Sequence, residues 1–225
     1  METGAWWAAE LAPLASEMPY TVERITGSFY GIMLFSRLPL VGTEILHLAS
    51  QDTPAIHTGV TLRSGETINF LGMHPRPPHP GQSALGRDAQ LYAAALLIRD
   101  GEKASVVAGD LNATPWEAAI ERMRRVGGLI DPRHGYGYVP TYSAESWWQS
   151  WPLDQVLHEP GFATMSLERL QPFGSDHYPF AARLCRTTGS GGGTPPALRE
   201  NDLVEAKRTI AAATGRFTPA PEPAN

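Results

Sequence analysis

Polar side chains that can do chemistry follow directly on apolar runs of this sequence. Asp110 and Asn112 come just after residues 105–108, whose apolar character predicts a buried strand. If the strand continues through them, residues two positions apart face the same side, and we expect both side chains to line one cleft. A carboxylate beside a carboxamide can hold a metal-bound phosphate and orient a water molecule. The alternative is a loop acid followed by a turn-forming asparagine.

A second segment, Ser175-Asp176-His177, places an acid and an imidazole just before the apolar residues 178–184. Asp154 lies within the apolar run 151–157, where a buried acid is costly unless a partner holds it. An imidazole is a natural partner, because the carboxylate fixes the histidine tautomer and raises its basicity. We therefore expect Asp154 to contact His177. The alternatives are an arginine partner for Asp154 and a simple turn at Asp176 and His177.

Hydrophobic periodicity predicts the elements that must position these groups. Strands are expected at residues 30–36, 42–48, 56–62, 67–73, 105–108, 152–158 and 178–184, and helices at 5–16, 83–98, 115–126 and 197–214. Residues 63–66 predict a hairpin turn, and Thr114 with Glu117 forms a capping-box pattern before the helix at 115. Strands, then helix, strand and helix, then further strands are typical of a layered α/β sandwich, in which mixed sheets pack between helices.

The chain length and composition favour one main domain followed by a tail. A chain of 225 residues can bury a large share of its surface in a single core. The prolines of residues 74–81 exclude regular structure there. Residues 187–196 are rich in glycine, serine and threonine and predict a flexible linker. We therefore expect a domain at 1–186 and a C-terminal tail at 197–225 with a short helix.

Charge and cysteine content limit the classes of function. The formal net charge is −5, so no overall positive field attracts nucleic acid or an anionic membrane. Cys185 is the only cysteine, which excludes an internal disulfide and a multi-cysteine metal site. The sequence has neither an apolar run long enough to span a bilayer nor a secretory signal pattern. We expect a soluble, cytoplasmic protein, and nothing in the sequence predicts its oligomeric state.

Short motifs in a fixed order carry a family resemblance. They are Glu2, Ser36-Arg37-Leu38-Pro39, His74-Pro75, Gly109-Asp110-Leu111-Asn112, Leu153-Asp154 and Ser175-Asp176-His177. In this order and spacing the chain resembles the endonuclease/exonuclease/phosphatase superfamily, which includes apurinic/apyrimidinic endonucleases, pancreatic-type deoxyribonucleases, sphingomyelinases and inositol-polyphosphate phosphatases. The resemblance covers roughly residues 1–185 and implies a four-layer α/β sandwich with two packed mixed β-sheets flanked by helices.

The resemblance also implies a metal site and a catalytic set. The metal positions are Glu2, Asp110, Asn112 and Asp176, and the expected ion is Mg²⁺ or Mn²⁺. The catalytic positions are His74, Asp110, Asn112, Asp154 and His177. In the family, the acid–amide pair aligns the attacking water and the phosphate, and the first histidine contacts phosphate. The second histidine, oriented by the strand acid, activates water or stabilises the phosphorane-like charge. Hard oxygen ligands of this kind suit Mg²⁺, which keeps several waters.

The implied activity is that of a divalent-metal-dependent phosphoesterase, which hydrolyses a phosphodiester by in-line water attack in the manner of a nuclease. The substrate is then a phosphate ester, with nucleic acid as one candidate. The acidic net charge disfavours tight binding of duplex DNA, because Lys and Arg contacts to phosphate dominate that affinity. A phosphomonoesterase and a lipid phosphodiesterase are alternatives.

Departures from the family pattern support a different alternative. The family fold opens with a strand that bears a site-contacting asparagine and then a helix, whereas Met1 here directly precedes Glu2. We expect that opening unit to be absent. Gln155 stands where relatives carry His or Tyr. A catalytically impaired, truncated member that acts as an interaction or scaffold module is therefore an alternative.

Other polar residues on the predicted helices have structural interpretations. Arg87 and Gln90 lie on the helix that starts at residue 83, where members of the resembled family often carry polar residues; solvated helix positions explain them as well. A run of arginines predicts a solvated face of the following helix; it consists of Arg122, Arg124 and Arg125.

Overall fold

A computed structural model of the chain describes residues 1–78, 83–146, 148–187 and 192–215. Its strands are β1 (Tyr20–Arg24), β2 (Ile32–Ser36), β3 (Leu40–Leu46), β4 (Ala55–Thr61), β5 (Thr67–Gly72), β6 (Ser105–Asp110), β7 (Asp154–His158), β8 (Phe162–Arg169) and β9 (Phe180–Arg186). Its helices are α1 (Ala5–Leu11), α2 (Leu85–Arg99), α3 (Ala118–Gly127) and α4 (Asp202–Thr214), with a 3₁₀ helix at Ala12–Ser16. No helix in this described part of the chain is both long and apolar enough to cross a membrane.

A five-stranded mixed sheet with the order β3–β4–β5–β6–β7 forms the centre of the molecule. Strands β4 and β5 form the predicted hairpin, in which Gly65 takes a φ of 88° that favours glycine. Strands β5 and β6 are parallel, and α2 makes the crossover that parallel neighbours require. Strand β7 then pairs antiparallel with β6. The carboxyl ends of β5 and β6 therefore meet the amino end of β7 at one edge.

Alternation along the central strands sends neighbouring side chains into two separate cores. Val107 packs into a large core shared with helices α2, α3 and α4, whereas Val106 packs into a smaller core on the opposite face. Phe162 and Leu184 bring the β8–β9 pair onto that smaller core. Burying one side chain of this size contributes about 1.5 to 3 kcal/mol, so both faces of the sheet hold the fold together.

The predicted α/β sandwich class is confirmed. Beside the central sheet lie two separate two-stranded antiparallel sheets, β1–β2 and β8–β9. Strands β1 and β8 were not predicted. The side chains of β1 are largely exposed, so it has no apolar alternation to predict it from. In β8 the buried residues are Phe162 and Leu167, and an irregularity between Thr164 and Ser166 interrupts the alternation between them.

Helix boundaries differ from the prediction at the end of α1 and at the start of α3. The helix expected over residues 5–16 becomes a 3₁₀ helix at Ala12, because Pro13 cannot donate the hydrogen bond that an α-helix needs there. The capping pair acts one turn before α3. The Glu117 carboxylate accepts a 2.7 Å hydrogen bond from the Thr114 backbone N–H, and the helix begins at Ala118.

The C-terminal segment contributes a helix to the core. Helix α4 lies within the range predicted for it and packs on α2 and α3, with Ala206 fully buried. The expectation of a solvated arginine face on α3 is wrong for Arg125, which is 8% exposed and bonded to buried Asp202 at 2.7 Å. This partner lies 77 residues further along the chain, so no local pattern around α3 indicates it. The expectations for residues 79–81, 188–191 and 216–225 lie outside the described residues.

Candidate active site

The register of the central sheet brings two predicted acids together. Asp110, the last residue of β6, is paired directly with Asp154, the first residue of β7. Residues paired across an antiparallel ladder lie on the same face of the sheet. The site therefore begins with two carboxylates held opposite each other by backbone pairing, at the edge where β5 also ends.

Gly109 allows His74 to join them. The residue has a φ of 154°, and a Cβ at this position would lie 1.9 Å from the Met73 carbonyl oxygen. Only glycine tolerates that close approach of two backbones. His74 follows Met73 directly and places its Nε2 atom 3.6 Å from Asp110 Oδ2. Burial lowers the pKa of His74 to about 4, so its imidazole is neutral near pH 7.

His177 is held by Asp154, the contact expected from the sequence. Its Nδ1 atom lies 2.7 Å from Asp154 Oδ2, and its Nε2 atom lies 3.7 Å from Asp110 Oδ2. The Tyr142 ring, 5.0 Å away between centroids, packs against the imidazole. Burial alone lowers the pKa of His177, but the hydrogen bond and charge of Asp154 outweigh it and raise the pKa to about 9. The imidazole is thus fixed in position, with Nε2 directed at the central carboxylate.

Asp110 lies between the two histidines. Only 8% of the residue is exposed, and its Oδ1 atom accepts a 2.9 Å hydrogen bond from the Asn112 backbone N–H. Burial, reinforced by the negative charge of Asp154, raises the pKa of Asp110 well above its usual range. A carboxylate with a raised pKa is a better proton acceptor than an exposed one.

A single cavity of about 360 Å³ collects these groups. All the predicted site residues except Asn112 line it: Glu2, His74, Asp110, Asp154, Asp176 and His177. Glu2 is positioned by its neighbour Thr3, whose N–H donates a 3.1 Å hydrogen bond to the Gly31 carbonyl beside β2. Burial and the nearby charge of Asp176 both raise the pKa of Glu2, which indicates that these two carboxylates repel each other across the cavity.

Asn112 has a different placement from the expected one. Strand β6 ends at Asp110, and Asn112 takes a left-handed φ of 49°, so the two residues are not neighbours on one face of an extended strand. The turn closes on the Asp110 carboxylate, as aspartates often do two residues before a bend. The Asn112 side chain donates a 3.0 Å hydrogen bond to the Pro75 carbonyl. It thereby ties the segment after His74 to the end of β6.

Arg87 supports the site from a buried position, so the solvated one of its two interpretations is wrong. It is 6% exposed, and its guanidinium donates a 2.8 Å hydrogen bond to the Asn112 carbonyl and bonds to Glu117 at 2.9 Å. The solvated interpretation is also wrong for Gln90, which is 3% exposed and accepts a hydrogen bond from Thr53. A signal was present: Arg87 lies four residues before buried Leu91, on the apolar stripe of α2.

Gln155, which departs from the family pattern, is 1% exposed, and both polar ends of its side chain are hydrogen-bonded. Its side-chain amide donates to the Ala113 carbonyl at 2.6 Å, and its oxygen accepts from Arg133 at 2.8 Å. It lines the cavity beside Asp154 and joins β7 to the loop after Asn112.

The carboxylates fit an open magnesium-type site better than a closed metal cage. Within the described ranges, no group of three or more His, Cys, Asp or Glu side chains has the arrangement of a complete metal site. Mg²⁺ is typically bound by one or two carboxylates together with waters and substrate phosphate. Glu2 and Asp176 are the residues that would hold such an ion, because a divalent cation would relieve their mutual repulsion.

Comparison with known proteins agrees with this geometry. Residues 1–177 match the sequence model of the Endonuclease/Exonuclease/phosphatase family. The chain belongs to the endonuclease/exonuclease/phosphatase family. No match was found among curated protein sequences.

Solved structures show the same fold as this family member. D. rerio TDP2 complexed with single strand DNA product is similar with a TM-score of 0.67 and 18% identity, over 82% of this chain and 83% of that chain. An endonuclease/exonuclease/phosphatase from Beutenbergia cavernae gives a TM-score of 0.62 and 21% identity over 88% and 61% of the two chains. Sphingomyelinase C from Streptomyces griseocarneus gives 0.56 and 18% over 79% and 82%.

Proposed function

We propose that this family member is a divalent-metal-dependent phosphodiesterase that hydrolyses its substrate by in-line attack of water. Membership of the family supports a hydrolase of the phosphodiesterase type. The observation that carries the proposal is the convergence of both histidines on the Asp110 carboxylate, with Asp154 bonded to His177 at 2.7 Å in the same cavity.

The proposed reaction assigns each group a task. The water oxygen attacks phosphorus, its proton passes to the Asp110 carboxylate, and the bond from phosphorus to the leaving oxygen breaks. His177, charged because Asp154 raises its pKa to about 9, donates a hydrogen bond from Nε2 to a phosphoryl oxygen. His74 lies near enough to Asp110 to contact the same phosphoryl group. A divalent ion held by Glu2 and Asp176 would neutralise phosphate charge and stabilise the leaving oxygen.

The charge of the cavity favours a phosphodiester over a phosphomonoester. Its lining carries the carboxylates of Glu2, Asp110, Asp154 and Asp176, and one of its two histidines is neutral near pH 7. A dianionic monoester is repelled by such a site more strongly than a monoanionic diester. Single-stranded nucleic acid is a candidate substrate that the likeness to D. rerio TDP2 complexed with single strand DNA product supports. Duplex DNA is disfavoured by the net charge of −5.

Hydrolysis of bis-p-nitrophenyl phosphate tests the proposal. We expect release of nitrophenol that requires Mg²⁺ or Mn²⁺, stops with EDTA, and exceeds the release from the monoester p-nitrophenyl phosphate. Asp110→Ala and His177→Ala should each lower kcat at least about 100-fold, because each removes a group that acts on the reacting atoms.

Exposed residues of the same types provide matched controls. Asp52→Ala and His47→Ala lie in the exposed connection between β3 and β4 and should leave kcat within about twofold. Turnover that survives both Asp110→Ala and His177→Ala would show that the reaction takes place elsewhere.

A further inference from the structure

The three arginines on helix α3 have very different surroundings. Arg125 bonds to the buried Asp202 carboxylate at 2.7 and 3.0 Å. Arg122 bonds to the same carboxylate at 3.3 Å and to the Tyr92 hydroxyl at 2.9 Å. Arg124 has neither a hydrogen bond nor an ion pair from its side chain to any residue within 1–78, 83–146, 148–187 and 192–215.

The guanidinium of Arg124 is partly buried, and no acid among the described residues lies within ion-pair distance of it. Its Nε atom is inaccessible to solvent and without a hydrogen-bond partner among the described residues. The nearest acids are already paired, Asp131 with Arg133 at 2.9 Å and Glu121 with Arg125 at 3.7 Å. Burial lowers the pKa of Arg124, whereas the bond to Asp202 raises the pKa of Arg125. A desolvated charge without a partner is costly, so this arrangement calls for a counter-ion.

Two cavities meet at Arg124, away from the candidate active site. One has a volume of about 520 Å³ and is also lined by His134, Thr164 and Thr194. The other has a volume of about 420 Å³ and is also lined by Arg199. Arg124 and Pro196 line both cavities, and no residue of the active-site lining belongs to either. A cleft of this size suits a small organic molecule. Its lining also includes the carboxylates of Asp131 and Glu121, but these are paired with Arg133 and Arg125, which leaves Arg124 and Arg199 as lining cations without an ion pair among the described residues.

We propose that Arg124 anchors a second binding site, for a small molecule that carries an oxyanion group such as a phosphate or a carboxylate. The planar guanidinium offers a fork of N–H donors that matches such a group in two parallel hydrogen bonds. The hydroxyls of Thr164 and Thr194 add donors on one side, and the exposed Arg199 adds positive charge on the other. This site does not depend on the proposed hydrolase activity.

Titration calorimetry with inorganic phosphate, and separately with citrate, tests the site. The buffer contains EDTA and a fixed ionic strength, and the proteins are the full-length chain and its Arg124→Gln, Arg208→Gln and His177→Ala variants. Saturable binding of at least one probe is expected for the unsubstituted chain, and binding by phosphate or citrate alone identifies the group preferred. Arg124→Gln should weaken it at least about tenfold, because a charged, bidentate hydrogen-bonding partner is lost.

The controls separate this site from the active site and from non-specific attraction. The side chain of Arg208 on α4 is 75% exposed. The substitution Arg208→Gln removes the same charge as Arg124→Gln and should not alter binding. His177→Ala should bind like the unsubstituted chain. Unchanged binding by Arg124→Gln, equal loss in His177→Ala, or no saturable binding of either probe would overturn the proposal.

Thermal unfolding provides a second measurement. The probe that binds should raise the Tm of the unsubstituted chain at constant ionic strength and leave the Tm of Arg124→Gln unchanged. Without a probe, Arg124→Gln should melt no lower than the unsubstituted chain, because it removes an unpaired charge from a partly buried position. If Arg124→Gln fails to fold, Arg124→Lys, which keeps the charge but not the fork, should bind more weakly. Full binding by Arg124→Lys would overturn the bidentate contact.

Discussion

At the scale of single residues, the candidate site depends on groups that do not touch its cavity. The Asn112 turn joins the end of β6 to the segment after His74, and Arg87 holds that turn through the Asn112 carbonyl at 2.8 Å. Arg87 is itself held by Asp88 and Glu117, both at 2.8 to 2.9 Å. It is therefore a positioning residue, which acts on the reaction through the loop that carries Asp110.

Replacing Arg87 should reduce turnover and stability together. Arg87→Met leaves the Glu117 carboxylate and the Asn112 carbonyl without a buried partner, and we expect a loss of roughly 3 kcal/mol in the free energy of unfolding. At a temperature well below the melting transition, kcat for bis-p-nitrophenyl phosphate should fall about tenfold with little change in KM.

Arg87→Lys distinguishes positioning from mere stabilisation. Lysine keeps the charge but lacks the fork, so it should recover much of the stability and only part of kcat. If kcat in Arg87→Met equals that of the unsubstituted chain once the protein is folded, the residue is only structural.

Much of the site chemistry is readable from the sequence, and its geometry only in part. The acid within an apolar strand and the histidine before another strand predict the Asp154–His177 contact, because a buried carboxylate needs a partner. The position of Asn112 was not predictable in this way, since the Asp110 carboxylate ends the strand with a turn that an alternating pattern does not encode. The Asn112 and Glu117 partners of Arg87 both lie in the connection between β6 and α3, distant in sequence from α2, so only the position of Arg87 on an apolar helix stripe hints at its burial.

At the scale of elements, helices α3 and α4 are joined by a buried ionic contact. Asp202, at the start of α4, is 3% exposed and accepts hydrogen bonds from Arg125 and Arg122. It also accepts a 2.9 Å hydrogen bond from the Arg199 backbone N–H. The carboxylate thus satisfies the turn that precedes α4 and fixes the helix on α3. Such a contact between distant segments has no periodic signature, which is why the sequence favoured a solvated arginine face.

The stability of this contact should depend on pH with a defined sign. The Arg125 hydrogen bond lowers the pKa of Asp202 from 3.8 to about 2 in the folded state. The stabilisation is therefore complete above pH 4 and is lost as the pH falls through about 2. Asp202→Asn should cost roughly 3 kcal/mol at pH 7, because it leaves Arg125 buried without its counter-ion.

Urea unfolding at pH 7, 4, 3 and 2.5 measures this dependence. The unsubstituted chain and Asp202→Asn should differ in their free energy of unfolding by a constant amount from pH 7 to pH 4. That difference should become smaller below pH 4. Asp100→Asn, on an exposed aspartate at the end of α2, should match the unsubstituted chain at pH 7 within about 0.5 kcal/mol. A difference for Asp202→Asn that stays constant down to pH 2.5 would contradict the assignment.

At the scale of the whole molecule, the large core extends past the segment expected to end the domain. Ala206 is fully buried in the core, and Leu203 and Ile210 pack against it. The composition of residues 187–196 predicts a linker, and the sequence that follows predicts a helix over residues 197–214, within which α4 lies. Neither pattern indicates which part of the core that helix covers. The strands of the central sheet and the helices packed on it were predictable from their apolar periodicity. Strand β1 is too exposed to show a pattern, and in β8 an irregularity between Thr164 and Ser166 interrupts the alternation.

A matched pair of substitutions tests whether α4 belongs to the folding unit. Ala206→Glu inserts a charged side chain into a fully packed position and should destabilise the protein by roughly 3 kcal/mol or more. Ala211→Glu, on the exposed side of the same helix, should change stability by no more than about 0.5 kcal/mol. Equal Tm values for the two variants would mean that α4 is dispensable for the core.

Because Asp110 pairs directly with Asp154, the site depends on the number of residues in strands β6 and β7. One residue inserted into β7 after Asp154 would have one of two effects. It would turn every following side chain to the opposite face, or, if those side chains kept their register with β6, it would carry Asp154 away from Asp110 and His177. The same insertion in the long connection between α3 and β7 would leave that pairing intact. Changes in chain length that preserve activity should therefore accumulate between the strands, while the strands themselves keep a fixed number of residues.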